Sequence, residues 1–293
     1  NKMIESIGEE AFNFQDERFA DIQMLRYRLP DFESLTIRQK QLIYCLSEAT
    51  LFGRDITFDQ FGKYNLRIRK TLEAVYLNFN GDRLEHNFRA LEEYLKHVWF
   101  ASGIYHHYAC DKFSPLFTEV FFRNEVLAID SKLLPLNDGE SVTSLLNELC
   151  PVIFDPTILP KRVDKSDGKD IVSSSACNYY DGVSQYEVEQ FYAKLKKDGP
   201  TNEAPSYGLN STLVKEGDSI REDVWKIGGK YSAAIEKIVY WLNRAKDFVE
   251  NDQQLHVINL LIRYYETGDL HDFDIYSIEW LREQEGRIDF ING

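Results

Sequence analysis

At 293 residues, with 43% hydrophobic and 28% charged side chains, the chain is long enough to bury a sizeable core and too apolar to read as disordered. A formal net charge of -14 argues against nucleic acid as a partner, because phosphate binding needs a basic footprint, and no apolar run approaches the ~18 residues of a membrane span. The four cysteines, Cys45, Cys110, Cys150 and Cys177, lie far apart without a CxxC pair, which reads as free thiols rather than a disulfide framework or a zinc ribbon.

Residues 1–130 read as a helical subdomain. Phe19, Ile22, Met24, Leu25 and Leu29 sit at near-helical spacing, with Pro30 as the stop. Thr36 and Gln39 spell a capping box at the start of the next helix, and Gly53 is its expected end. "NLRIRKTLEAVYLNF" and "HNFRALEEYLKHVWFASG" continue the amphipathic pattern, the second ending near Gly103, and a fifth helix is predicted over 118–129.

Residues 131–293 read as a mixed part with strands among its helices. Pro151, Pro156 and Pro160 punctuate a predicted loop. "DIVSSSACNYYDG" reads as a strand ending in an Asp181-Gly182 turn, Ser184 and Glu187 form a second capping box, and "DGPTNEAPSYG" is a flexible connection. "YGLNSTLVKEGD" reads as a second strand. Helices return in "KYSAAIEKIVYWLNRAKDFV", in "QLHVINLLIRYYETG" with Gly268 as its stop, and in "IYSIEWLREQ". In "RIDFING" the polar and apolar residues alternate like a half-buried strand. The fold class is therefore α+β, mostly helical, with a small sheet built from the second half.

Motif searches find no self-contained active site. There is no HExxH, no GxGxxG and no GxSxG. "WKIGGKYS" lacks the Gly and the Ser or Thr of a P-loop, since Val224 and Tyr231 occupy those places. "HHYACD" gathers His106, His107, Cys110 and Asp111, but adjacent side chains diverge, so a packed loop is the simpler reading than a metal site. Asn210-Ser211-Thr212 fits a glycosylation sequon that has meaning only in a secretory pathway.

Seven stretches in order resemble one family, the dipeptidyl peptidase III zinc exopeptidases in a bacterial form. They include "RFADIQMLRYRLPDFESLTIRQKQLIYCLSEATLFGRDI", "FGKYNLRIRKTLEAVY", "ASGIYHHYACDKFSP", "SACNYYDGVSQYEVEQFY" and "YYETGDLHDFDIYSIEWLREQEGRIDFING". The resemblance implies the lower lobe of a two-lobed peptidase with a small β-barrel-like sheet core, cut after Gly293. Zinc, on an HExxxH motif, would belong to the other lobe of the full-length protein, with none bound by this chain and no catalytic residue in it. The implied substrates are short peptides, laid along a lower-lobe strand and shortened by one dipeptide from the N-terminus.

Family resemblance also implies the site. An acid four residues before a Gly would hold the substrate's ammonium group, which makes Asp289 the expected partner, with Ile291, Asn292 and Gly293 completing the binding strand. Ile291 departs from a Tyr of the animal members. The alternative reading is a stand-alone peptide-binding or regulatory module without catalysis. A monomeric full-length protein is implied, and a fragment able to self-associate through its open sheet edge. Compartment is cytoplasmic by resemblance alone, because a chain beginning at Asn1 leaves room for a removed signal peptide.

Overall fold

A hairpin stands where the first helix was predicted. The computed structural model describes residues 12–199 and 206–292, and the chain divides into two compact units after Leu35. In the first unit, β1 (Gln15–Phe19) pairs antiparallel with β2 (Ile22–Leu25), with Phe19 opposite Ile22 across a turn where Ala20 takes φ 46°. Met24 and Leu25 stay exposed, so no helical stripe is buried here and the ladder satisfies the backbone instead. Pro30 opens a 3-10 turn rather than stopping a helix.

The second unit starts with α1 (Ile37–Phe61). Its capping box is formed: Gln39 N–H donates to Thr36 Oγ1 (3.2 Å) and Thr36 N–H to Gln39 Oε1 (2.9 Å). The helix runs through Gly53 instead of ending there. A Cβ at that position would meet nothing within 4 Å, and packing along the later helix Ser232–Ala245 outweighs the ~1 kcal/mol propensity cost of one glycine.

Four helices then build the main core. They are α2 (Asn65–Asn78), α3 (His86–Ala101), α4 (Glu119–Ala128) and α5 (Val142–Phe154). Ile68, Leu72 and Val75, then Leu91, Leu95 and Val98, recur at helical spacing and are fully enclosed, with Phe122, Leu145 and Leu149 between them. Each such side chain contributes roughly 1.5–3 kcal/mol by leaving water. Pro151, expected in a loop, lies inside α5. Burial of Leu149, Val152 and Ile153 around it offsets the ~3 kcal/mol that an interior proline costs.

The predicted strand in "DIVSSSACNYYDG" is mostly something else. Asp170 caps a single helical turn, α6 (Ile171–Ser174), and only Tyr180–Asp181 forms β3. The second capping box, Ser184 with Glu187, starts α7 (Gln185–Asp198) as expected. The connection after it falls in part outside the described residues. Then β4 (Ser211–Glu216) pairs in parallel with β3 and antiparallel with β5 (Ser219–Val224), a strand the sequence reading missed, with Gly217 at φ 60° in the turn. Val183, Val188 and Leu213 form a small core between α7 and this sheet.

The barrel expectation is corrected here. Among the described residues the sheet is open, three-stranded, in order β3-β4-β5. β3 is only two residues long, and the alternating C-terminal segment does not join a ladder. The unit ends with α8 (Ser232–Ala245), α9 (Asp252–Thr267) and α10 (Leu270–Arg282). Gly268, at φ 66°, closes α9 with its N–H on Tyr264 O. The fold is α+β and mostly helical.

Candidate functional site: an aromatic groove beside the C-terminal segment

The alternation read in residues 287–292 is real in burial and absent in pairing. Ile288 is buried, Asp289 and Ile291 are exposed, and Phe290 and Asn292 lie between. Backbone partners come from side chains. Gln254 Nε2 donates to Ile288 O (2.8 Å), Ile288 N–H donates to Glu250 Oε2 (2.8 Å), and Trp280 Nε1 donates to Phe290 O (3.0 Å). Further along, Tyr265 OH donates to Asn292 Oδ1. From Gln254 to Tyr265 α9 rises about 16 Å, and four extended residues cover about 13 Å. The segment therefore runs extended along α9, pinned at both ends.

Glu250 is the hub of this arrangement. Its Oε1 accepts from Gln39 Nε2 (2.7 Å) on α1 and its Oε2 from Gln254 Nε2 (3.3 Å), besides Ile288 N–H. Burial pushes the carboxyl up, but the hydrogen bonds from Gln39, the Ile288 and Arg287 amides and Gln254 outweigh it and hold the group below its usual range. Gly286 makes the approach possible: a Cβ there would stand 3.0–3.1 Å from Gln254 Nε2, Glu283 Oε2 and Glu250 Oε2.

Beside the segment lies a groove of about 610 Å³, bordered by α1, α8, α9, the loop 225–231 and Phe290, Ile291 and Asn292. This is the size of a small-ligand or short-peptide site. One long face belongs to α1, where Leu46, Thr50, Gly53, Thr57 and Gln60 recur at helical spacing. The opposite faces are aromatic: Tyr179, Trp225, Tyr231, Tyr264, Tyr265 and Phe273. Arg54 is the one charged side chain among the described residues that line it.

A polar knot closes the far end. Tyr231 OH donates to Asp59 Oδ2 (2.5 Å), which also accepts from Asn178 Nδ2 (3.1 Å) and lies 3.7 Å from Lys230 Nζ. Lys230 Nζ and Trp225 Nε1 both donate to Thr212 Oγ1, at 2.9 and 3.2 Å. "WKIGGKYS" is thus the link from β5 to α8, and its lysine is spent inside the protein. Tyr231 sits in the left-handed region at φ 63°, a costly place for a bulky residue, held by these contacts. Burial first, and then the bond to Asp59, raise its phenol; burial alone pushes Tyr265 up to about 12. Tyr179 and Tyr264 are raised by burial as well. All four phenols keep their protons near neutrality, so the groove presents neutral aromatic faces on which a ligand can stack.

Of the residues expected to bind substrate, Ile291 and Asn292 border the groove, Asp289 does not, and Gly293 lies outside the described residues. Asp289 Oδ1 accepts from Trp280 Nε1 (3.0 Å) and from Phe290 N–H (2.8 Å). His106 and His107 stack at 4.4 Å, and His106 Nδ1 accepts from the amides of Tyr108 and Ala109, which makes "HHYACD" a self-organised loop. Among the described residues no three His, Cys, Asp or Glu side chains are placed to hold a metal ion. Glu250, Gln254, Trp280 and Tyr231 were not among the expected site residues: Gln254 and Trp280 lie on α9 and α10, where spacing does not mark them out, and Glu250 and Tyr231 lie in connections that carry no periodic signal.

Residues 188–293 match the family model described as peptidase family M49. Two solved structures share the fold over 87% of this chain. They are dipeptidyl peptidase III from Caldithrix abyssi (TM-score 0.52, 15% identity) and the dipeptidyl-peptidase III of Corallococcus sp. strain EGB (TM-score 0.50, 14% identity). The chain spans 35% of the length of each. No curated protein matches it in sequence. The family match thus falls on the C-terminal third of the chain, and the two solved structures share its fold.

Proposed function

We propose that this chain is the substrate-gripping lobe of a zinc-dependent exopeptidase of the dipeptidyl peptidase III type, which frees dipeptides from the N-termini of short peptides. The observation that carries the reading is the extended segment 287–292, within the region that matches peptidase family M49, lying beside a 610 Å³ aromatic groove. No strand pairs with this segment among the described residues, and an extended peptide can add alongside it by β-augmentation, its side chains resting on the groove aromatics. The Asp289 carboxylate, oriented by Trp280 and its own segment and one residue before the groove-lining Phe290, takes the ammonium group. Ile291 and Asn292 present backbone to the peptide, and the part expected of Gly293 falls outside the described residues.

The residues here do not fit a zinc site, so no hydrolytic step is derived from them. In this reading zinc is held by another part of the whole protein, and this chain alone binds peptide without cleaving it. A stand-alone peptide-binding or regulatory module makes the same prediction for the chain alone. The two part company in the whole protein, where only the peptidase releases dipeptides. No helix among the described residues is long and apolar enough to cross a membrane.

Calorimetric titration with penta-alanine, free or acetylated at its N-terminus, tests the assignment. The free peptide is expected to bind about tenfold more tightly, the worth of one charge-assisted hydrogen bond. Asp289→Asn should erase that preference. Equal affinity for both peptides would remove the ammonium role from Asp289.

A further inference from the structure

We infer that Arg54 is a specificity residue of the groove, and that it captures the terminal carboxylate of a bound peptide. The inference rests on the peptide-binding reading and names what that reading leaves open, the feature of the peptide at the end away from its ammonium group.

Charge bookkeeping makes Arg54 unusual. The chain carries 48 acidic and 34 basic residues, yet among the described residues no carboxylate lines the groove and one guanidinium does. Arg54 has no ion pair among the described residues. Its neighbour Asp55 is committed elsewhere, 2.9 Å from Arg69 Nη2 and 3.8 Å from Lys70 Nζ. The hydroxyls one turn away turn back on their own helix, Thr50 to Leu46 O (3.0 Å) and Thr57 to Gly53 O (3.3 Å). The remaining polar lining is neutral: Gln60, Asn210 and Asn292 beside the protonated phenols.

An exposed cation left unpaired in an acidic protein, at the edge of an aromatic groove, draws an anion, and the planar guanidinium fork matches a carboxylate in two parallel hydrogen bonds. Scale agrees. The lining of α1 from Leu46 to Gln60 covers about 21 Å of helix, the length of about six extended residues. Arg54 falls inside that span, so a peptide of a few residues can meet it with its last carboxylate. A longer chain would bring a neutral peptide bond there instead.

The test uses the chain itself and calorimetric titration. Three probes are titrated: penta-alanine acid, penta-alanine amide, and the amide carrying one glutamate in place of an alanine. The acid is expected to bind about tenfold more tightly than the amide. Arg54→Ala should remove the difference without changing the circular dichroism, since the side chain is exposed, and Arg54→Lys should keep part of it. Equal binding of acid and amide, or a difference that survives in Arg54→Ala, overturns the inference while peptide binding stands. Recovery of affinity by the glutamate amide reassigns Arg54 to side-chain carboxylates and overturns the terminal assignment. Binding of none of the three overturns both this inference and the function it rests on.

Discussion

The core of α2–α5 and the groove beside α9 are held together by different forces. In the core, Leu72, Leu95, Phe122 and Leu145 are wholly enclosed by other apolar side chains, and the helices lie where their stripes meet. Around the groove, the C-terminal segment is fastened by single polar atoms: Glu250 and Gln254 at Ile288, Trp280 at Phe290, Tyr265 at Asn292. Apolar packing is non-directional and spreads its energy over many contacts. Side-chain anchors are few and directional, and each contributes only ~1 kcal/mol net. The core therefore tolerates local change by averaging, whereas the segment is placed accurately by bonds that can be lost one at a time. Binding elements come from this weaker end of the stability scale.

Breaking the core should give the largest effect. Phe122→Ala removes a fully buried ring between α4 and α5 and should cost about 3–5 kcal/mol, read as a lower urea midpoint with an unchanged slope. The whole second unit should lose stability together, segment and core alike. A midpoint within error of wild type would mean the α4–α5 contact contributes far less than its burial implies.

Breaking one anchor should be smaller and local. Gln254 is 2% exposed and ties Ile288 O, Glu250 and the Asn251 cap of α9 into one knot. Gln254→Ala leaves a buried carbonyl without its donor, at about 1–3 kcal/mol. Amide hydrogen exchange should show Ile288 losing protection while Leu95 and Leu145 keep theirs. Uniform loss across both regions would show that the segment and the core form one cooperative unit, against the contrast drawn here.

The same contrast explains what could be read in advance. Helices α2, α3, α4, α7, α8 and α9 were legible because periodicity and capping chemistry are local: Ser184 and Glu187 announce α7 without reference to anything else. The first helix failed because the spacing of Phe19, Ile22 and Leu25 is a local helical signal, and antiparallel pairing across Ala20 overrode it. Pro151 misled because burial of its neighbours overrode a local rule. At the C-terminus the alternation at 287–292 gave the right burial and the wrong partner. Pairing depends on Gln254 and Glu250, more than thirty residues earlier, and no short-range pattern marks a glutamine as a surrogate strand. The groove was hidden for a related reason, since it joins α1 to residues from five later parts of the chain.

Acid should separate the two regions without a mutation. Glu250 is held below its usual value of 4.5 in the folded protein. Its contribution is therefore complete above about pH 4.5 and fades as pH falls through the lower folded value, because the unfolded chain takes up the proton first. The apolar core has no such dependence. Asp155, at the end of α5, is also held low, first by the Thr157 hydroxyl and then by its amide, but those bonds close one local turn. Glu279 is held low by Gln253 and Asp164 by Lys169, neither of them on the segment. The Trp280 indole N–H resonance, which reports its bonds to Phe290 and Asp289, should broaden on acidification below pH 4.5 while methyl signals of Leu95 and Leu145 stay dispersed. Glu250→Gln should already show part of that change at neutral pH and less of it on further acidification. If the indole and the methyls changed together in wild type, the carboxylate hub would not be what keeps the segment against α9.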